Sequence, residues 1–281
     1  TKIQLVAART LGISPNRVRV HTTNTSRVPN ASPTSASTGA DLNGMATKYA
    51  CEELLTRLHR FAAQHLGHDD PEQITIREGV VHLAGKPTEL SWEKLVAAAQ
   101  WARIDLSSHA FYATPNLHFD PRTERGRPFA YYSCGTSLTE VRLDCVRGTY
   151  RLESVDVVHD VGCSLSEVID RGQVAGGVVQ GIGWATVEQI RHGPDGRVLT
   201  GANAYKIPDL KSLAPHFEVT LLENSQNPNA VYNSKAIGEP PLVHGLGAWF
   251  AILDALRSVR RDKDLPSLPL TPEKVFMYLH G

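Results

Sequence analysis

From Asp170 to Ile190 the sequence keeps the apolar rhythm of a helix while carrying five glycines, Gly172, Gly176, Gly177, Gly181 and Gly183. A glycine inside a helix costs ~1 kcal/mol against alanine, so a helix with five needs a reason to do without side chains. Close approach of its backbone to another helix or to a bound group is the physical reason available. A second constraint lies upstream. The run from Thr22 to Gly39 is mostly Thr, Ser, Asn and Pro, too polar for a core element. It exceeds the ~12–15 residues beyond which a structureless loop is usually functional or disordered.

That loop feeds a helix expected from Asp41 to about Leu66, with Leu42, Met45, Ala46, Ala50, Leu54, Leu55 and Leu58 on its apolar face. Ser37, Thr38 and Asp41 are the candidate caps. A hydroxyl-rich loop ending at a helix N-terminus offers free N–H donors and positive dipole charge to an anion. A capped surface loop accounts for the same residues.

Elsewhere the patterning predicts a helix over Ile3–Leu11, a short strand over Arg17–His21, and a hairpin of Ile74–Arg77 with Val80–Leu83. A helix follows over Trp92–Trp101, then a strand at Phe129–Tyr132 and a second hairpin, Ser137–Val146 with Tyr150–Val158, turned at Arg147-Gly148. Phe217–Leu222 reads as a strand and Pro240–Arg260 as a helix with proline in its first turn. A last short helix is capped by Thr271, with Pro272 at its first position. Helices and hairpins mix without a regular βαβ period, which points to an α+β fold. Two subdomains, about 1–128 and 129–281, suit the length.

The chain balances 29 basic against 29 acidic residues, which argues against a nucleic-acid or anionic-membrane partner held by charge. Its longest near-unbroken apolar stretch, Gly245 to Leu253, is short of the ~20 residues that span a bilayer, so a soluble protein is expected. Cys51, Cys134, Cys145 and Cys163 show no metal-binding spacing and read as buried free thiols of a reducing compartment, the cytoplasm. GxSxG, HExxH and GxxxxGK[ST] motifs are absent, and Gly181-Ile-Gly183 lacks the third glycine of a dinucleotide fingerprint. Of the twelve histidines, only those of His68-Asp69 and His159-Asp160 sit directly beside a carboxylate. The sequence opens at Thr1 inside an amphipathic stretch with no signal peptide, as expected of a piece of a longer protein whose N-terminal part is absent.

One carboxylate stands apart. Glu239 lies in Ser234-Lys-Ala-Ile-Gly-Glu-Pro-Pro-Leu242. It reads either as a cap of the Pro240 helix, although Glu is not a favoured cap, or as a general base on a rigid turn. In the second reading Ile237, Pro240, Pro241 and Leu242 would raise its pKa toward the working pH.

Taken together, these segments resemble the molybdenum-binding catalytic subunit of the xanthine dehydrogenase family of molybdenum hydroxylases. The resemblance runs through Thr22–Met45, Phe129-Ala-Tyr-Tyr132, Leu138-Thr-Glu-Val141, Val158-His-Asp-Val-Gly162 and Ile169-Asp-Arg-Gly-Gln-Val174. It continues through Val179-Gln-Gly-Ile-Gly-Trp184, Tyr205-Lys-Ile-Pro208 and Ser234–Leu242. It is nearest to the bacterial form, with iron–sulfur clusters and FAD on a separate subunit.

The resemblance implies the C-terminal portion of a molybdopterin-binding domain, with the metal held by the pterin dithiolene and by no side chain. Glu239 matches the glutamate that takes the proton of the metal's hydroxyl group, whose oxygen attacks an electron-poor ring carbon as hydride passes to the metal's sulfur. Gln173 matches a glutamine that contacts the molybdopterin, and Thr34, Ser35, Ala36, Ser37 and Thr38 match the loop that wraps it. Ser35 stands where the family usually has alanine.

The family activity is purine hydroxylation, hypoxanthine to xanthine to urate, in purine catabolism. Its partners are 2Fe-2S and FAD centres, NAD as acceptor, the rest of the molybdenum subunit and a dimer of heterodimers. Val28-Pro-Asn-Ala-Ser-Pro33 and Gly238-Glu-Pro-Pro241 favour xanthine over the aldehyde oxidases, which typically differ at both places. The family's purine-orienting residues lie upstream of Thr1, so the fragment is expected to be inactive alone. An aldehyde or another N-heterocycle as substrate stays open, as does a non-catalytic scaffold.

Overall fold

A computed structural model describes residues 1–21, 24–26 and 34–281. It divides into two compact units, Thr1–Tyr131 with Asn227–Ser234, and Tyr132–Gln226 with Lys235–Gly281. A linear division near residue 128 does not anticipate the return of residues 227–234 to the first unit. Val28–Pro33 lies outside the described residues.

In the first unit, α1 (Lys2–Leu11) ends at Gly12, whose φ of 68° and close approach to Ile76 O admit no side chain. α1 packs on α2 (Gly39–His65), and α2 in turn covers a small antiparallel sheet of β1 (Ile74–Arg77), β2 (Val80–Leu83) and β3 (Lys86–Ser91). Leu58, Ile74, Val81 and Leu95 are fully buried between α2, the sheet and α3 (Trp92–Trp101). A two-stranded ribbon, β4 (His118–Asp120) with β5 (Arg125–Arg127), lies further along. Residues 227–234 complete this unit: Val231, fully buried, fills the space that Gly44 of α2 leaves. Tyr232 shares a 2.7 Å hydrogen bond with Thr10, and its ring sits 3.9 Å from the Arg9 guanidinium.

The second unit is built on β6 (Gly135–Asp144), β7 (Thr149–His159) and β8 (His216–Leu221). β6 and β7 are antiparallel, but β8 joins β7 in parallel, with α4 (Glu167–Thr186) in the crossover. One βαβ unit is therefore embedded in the α+β arrangement. A 3-10 segment, Pro240–Gly245, leads directly into α5 (Leu246–Val259), and α6 (Pro272–His280) closes the chain under a Thr271 cap. Val155, Val157, Val174, Val178 and Ala248 form the core between sheet and helices, and Ile252, Leu256, Leu270 and Val275 form a second cluster beneath α6. The continuous stretch Pro240–Val259 has a mean hydropathy of 1.3 over its apolar window and could cross a membrane by length and composition alone. It is longer than the nine-residue run because it takes in Pro240–Val243 before that run and Ala255–Val259 after it, across His244, Asp254 and Arg257.

The glycines of α4 separate into two sets. A Cβ on Gly181 would lie 2.0 Å from Leu242 O, and one on Gly177 would lie 2.9 Å from Pro241, so the 3-10 segment packs directly on the helix backbone. Gly183 is closed off by Glu188 and Pro208. Gly172 and Gly176 face open space.

Several expectations are corrected. Arg17–His21 forms no strand: Pro15–Arg17 is a 3-10 turn, and the exposed residues after it have no ladder to join. Phe129–Tyr132 is irregular, and β3 and the β4–β5 ribbon were not read from the sequence. The helix expected from Pro240 opens as the 3-10 segment Pro240–Gly245, which packs on the backbone of α4, and becomes α-helical only at Leu246. None of the cysteines is buried; Cys134 and Cys145 are exposed, and Cys51 and Cys163 half-buried.

Candidate functional site

In the second unit the site forms at the carboxyl end of β7, where open α/β arrangements leave a crevice. Val157 and Val161, both buried, anchor the strand end, and Asp160 N donates to Cys134 O at 2.8 Å. Asp160 is buried and accepts from the Gly162 N–H at 2.9 Å and from the Lys235 ammonium. Burial alone would raise its pKa, but hydrogen bonds from Lys235, Ser225 and Gly162 outweigh it and hold the carboxyl below its ordinary value. The Lys235 ammonium also donates to Tyr132 O at 2.9 Å, and the Lys235 N–H to Val161 O at 2.8 Å. Ala236 and Ile237 follow, both buried, and the chain then emerges at Gly238 and Glu239.

Glu239 is exposed, so the apolar enclosure expected from its neighbours is not supplied by this chain: Ile237 and Pro241 turn inward and the carboxylate turns out. Nor does it cap the helix, since its side chain makes no cap hydrogen bond. Its backbone is fixed all the same, with Leu242 N donating to Glu239 O at 3.1 Å ahead of two prolines.

Gln173 lies on α4, exposed, one turn before Gly177 and therefore on the same helix face. Gly177 meets Pro241, and Gly181 meets Leu242 and Gly245, so α4 and the 3-10 segment run in the same direction. Gln173 lies one turn back from Gly177 along α4. The open positions Gly172 and Gly176 flank it.

In the first unit, Thr34, Ser35 and Ala36 are exposed, and Ser37 and Thr38 half-buried. Ala36 and Ser37 both take left-handed backbone, φ 49° and 56°, a strain concentrated at functional loops. The expected caps do not form. Thr38 Oγ1 donates to Ser35 O at 3.0 Å, and among the described residues no side-chain cap hydrogen bond closes the N-terminus of α2. Asp41 is occupied by the Tyr131 hydroxyl, and burial raises its pKa against that bond and the Lys2 charge.

Lys235 and His244 have no role assigned from the sequence, in which His159-Asp160 marks a histidine beside a carboxylate and part of the Val158–Gly162 resemblance. His159 is buried at the end of β7 and its Nδ1 lies 2.9 Å from His244 Nε2. That adjacency was the available signal. The pairing across 85 residues was not legible in it.

A family profile described as the molybdopterin cofactor-binding domain matches residues 1–214. The chain belongs to this family. Across 98% of its length it is 38% identical to the xanthine dehydrogenase/oxidase of Gallus gallus and 40% identical to that of Rattus norvegicus. It spans only 19% and 20% of those proteins. A solved quinoline 2-oxidoreductase from Pseudomonas putida 86 shares the fold, with a TM-score of 0.83 and 23% identity, over 99% of this chain and 34% of that one.

Each unit, taken by itself, carries groups suited to holding part of a molybdopterin. The first unit offers helix N–H groups behind a strained hydroxyl-bearing loop, donors suited to the cofactor's anionic groups. The second offers an exposed amide on a helix face that two glycines leave open.

Proposed function

We propose that this chain is part of the catalytic subunit of a xanthine dehydrogenase-type molybdenum hydroxylase, with a purine as substrate. Bound molybdopterin would supply the metal centre at which substrate oxidation and oxygen transfer take place. Gln173 would hold the cofactor through its amide, and Thr34, Ser35, Ala36, Ser37 and Thr38 would hold it through hydroxyls and backbone N–H groups. No side chain here would ligate the metal. Glu239 would take up a proton at its carboxylate from the reacting water-derived oxygen and return it to solvent.

The observation that carries the reading is the form of the Glu239 turn: a carboxylate presented outward on backbone fixed by two prolines, in a segment packed on the helix that bears an exposed glutamine. A bound cofactor and substrate would cover the carboxylate and supply the enclosure that this chain's own residues do not. Electrons would leave through partner iron–sulfur and FAD centres, with NAD as the proposed acceptor, in a cytoplasmic assembly.

The test is urate formation from hypoxanthine and xanthine by the complete protein, with Glu239→Gln and Glu239→Ala compared at equal molybdenum content. Loss of the base should cut kcat ~10²–10⁴-fold or more while the metal is retained. Undiminished turnover in either variant would refute the assignment, and activity on aldehydes in place of purines would overturn the substrate.

A further inference from the structure

Two consecutive residues at the end of β7 reach both sides of the Glu239 turn. Asp160 binds the ammonium of Lys235, four residues before Glu239. His159 binds the ring of His244, five residues after it, through Nδ1···Nε2 at 2.9 Å with the rings edge to face. The segment between them, residues 236–243, contains both prolines and emerges at Gly238 and Glu239.

We infer that the dipeptide His159-Asp160 is a clasp that positions Glu239, acting on its two flanks through Lys235 and His244 rather than touching the carboxylate itself. The inference rests on the proposed role of Glu239.

Four features support a purpose-built hold. Gly135 of β6 is bare where a Cβ would lie 2.7 Å from His244 Nε2, so the strand is cut back to seat that ring. Ser137 Oγ donates to His244 O at 3.1 Å, which ties the same residue's backbone to β6. Lys235 and Asp160 are both buried, and separating such a pair would leave an uncompensated buried charge, so the start of the segment is held in place. The His159–His244 contact holds one proton between two nitrogens and fixes the two rings edge to face. With no hydrogen bond from its side chain among the described residues, Glu239 is aimed through its backbone. A loose turn would spread the carboxylate over positions of which few are productive.

The experiment uses the full-length protein that carries this chain, with His244→Leu, which deletes the ring contact, and His244→Gln, which keeps a side-chain N–H donor. Hydrogen exchange at neutral pH should rise at least 10-fold in peptides covering 236–246 of His244→Leu while β7 and α5 stay protected. kcat should fall about 10-fold at unchanged molybdenum content and KM, and His244→Gln should recover most of both losses. Unchanged exchange and kcat in His244→Leu would overturn the clasp. So would uniform loss of protection across the second unit, or a glutamine variant no better than leucine. If His244→Leu does not fold, Ser137→Ala reads the same segment: faster exchange at 240–246 supports the clasp, and no change there overturns it. Full activity in Glu239→Gln would remove the base reading while the exchange results still stand. An inactive Glu239→Gln beside a normal His244→Leu would remove the clasp alone.

Discussion

With 2% of its surface exposed, the His159 ring has no water to solvate a charge. Burial, then the neighbouring His244, then Lys235 bring its pKa down to about 4 against the pull of Asp160. The unfolded imidazole takes its proton near 6.5 and the folded one near 4, so between those values the unfolded chain binds more protons. Stability should therefore be complete above pH 6.5 and fall as the pH drops toward 4. One such group sets a slope of at most about 1.4 kcal/mol per pH unit. Urea midpoints taken between pH 7 and 4.5 should fall less steeply in His159→Gln than in the wild-type chain, and equal slopes would clear His159 of the effect. His59 and His244, both lowered by burial, keep part of the slope in the variant. At this scale the sequence was readable where chemistry is local. Glu239 between glycine and paired prolines could be picked out, but whether the carboxylate turns inward depends on which neighbours α4 captures, and Ile237 and Pro241 take the buried places.

Helix α4 shows what patterning can carry and where it stops. Its period located the helix within a few residues, and its glycines implied a close approach, but periodicity alone does not say which glycines are covered. The structure makes that distinction testable. Gly181→Ala forces a Cβ into Leu242 O and should destabilise the chain by about 2–3 kcal/mol, measured by urea unfolding. Gly176→Ala meets nothing within 4 Å and should stabilise the chain by about 0.5–1 kcal/mol through helix propensity. In the cofactor-loaded protein the same Gly176→Ala should lower molybdenum content if that face meets the pterin. β3 and the β4–β5 ribbon escaped the reading for the opposite reason. They are short and largely exposed, so no alternation of apolar residues marks them.

For the molecule as a whole, the family profile and the 98% span of the relatives agree with an α+β molybdopterin-binding domain. The division into units was harder to see, because residues 227–234 leave the second unit to join the first. The chain also ends its second sheet in an open edge: β6, ten residues long, has β7 on one side and no strand on the other among the described residues. Leu138 on that edge and Val243 and Phe250 beside it line an exposed apolar groove. Edges of this kind recruit other chains. The 281-residue chain by itself should show concentration-dependent association in sedimentation velocity, and Leu138→Lys should reduce it.

The eight-residue return also sets an order of events at the ribosome. Val231 and Tyr232 supply the last pieces of the first unit, the plug against Gly44 and the partner of Thr10. More than two hundred residues must therefore be synthesised before the amino-terminal half can close. Until then its opening helices have a gap between them, and a nascent chain stalled short of that point would expose an unfilled hole rather than a finished module.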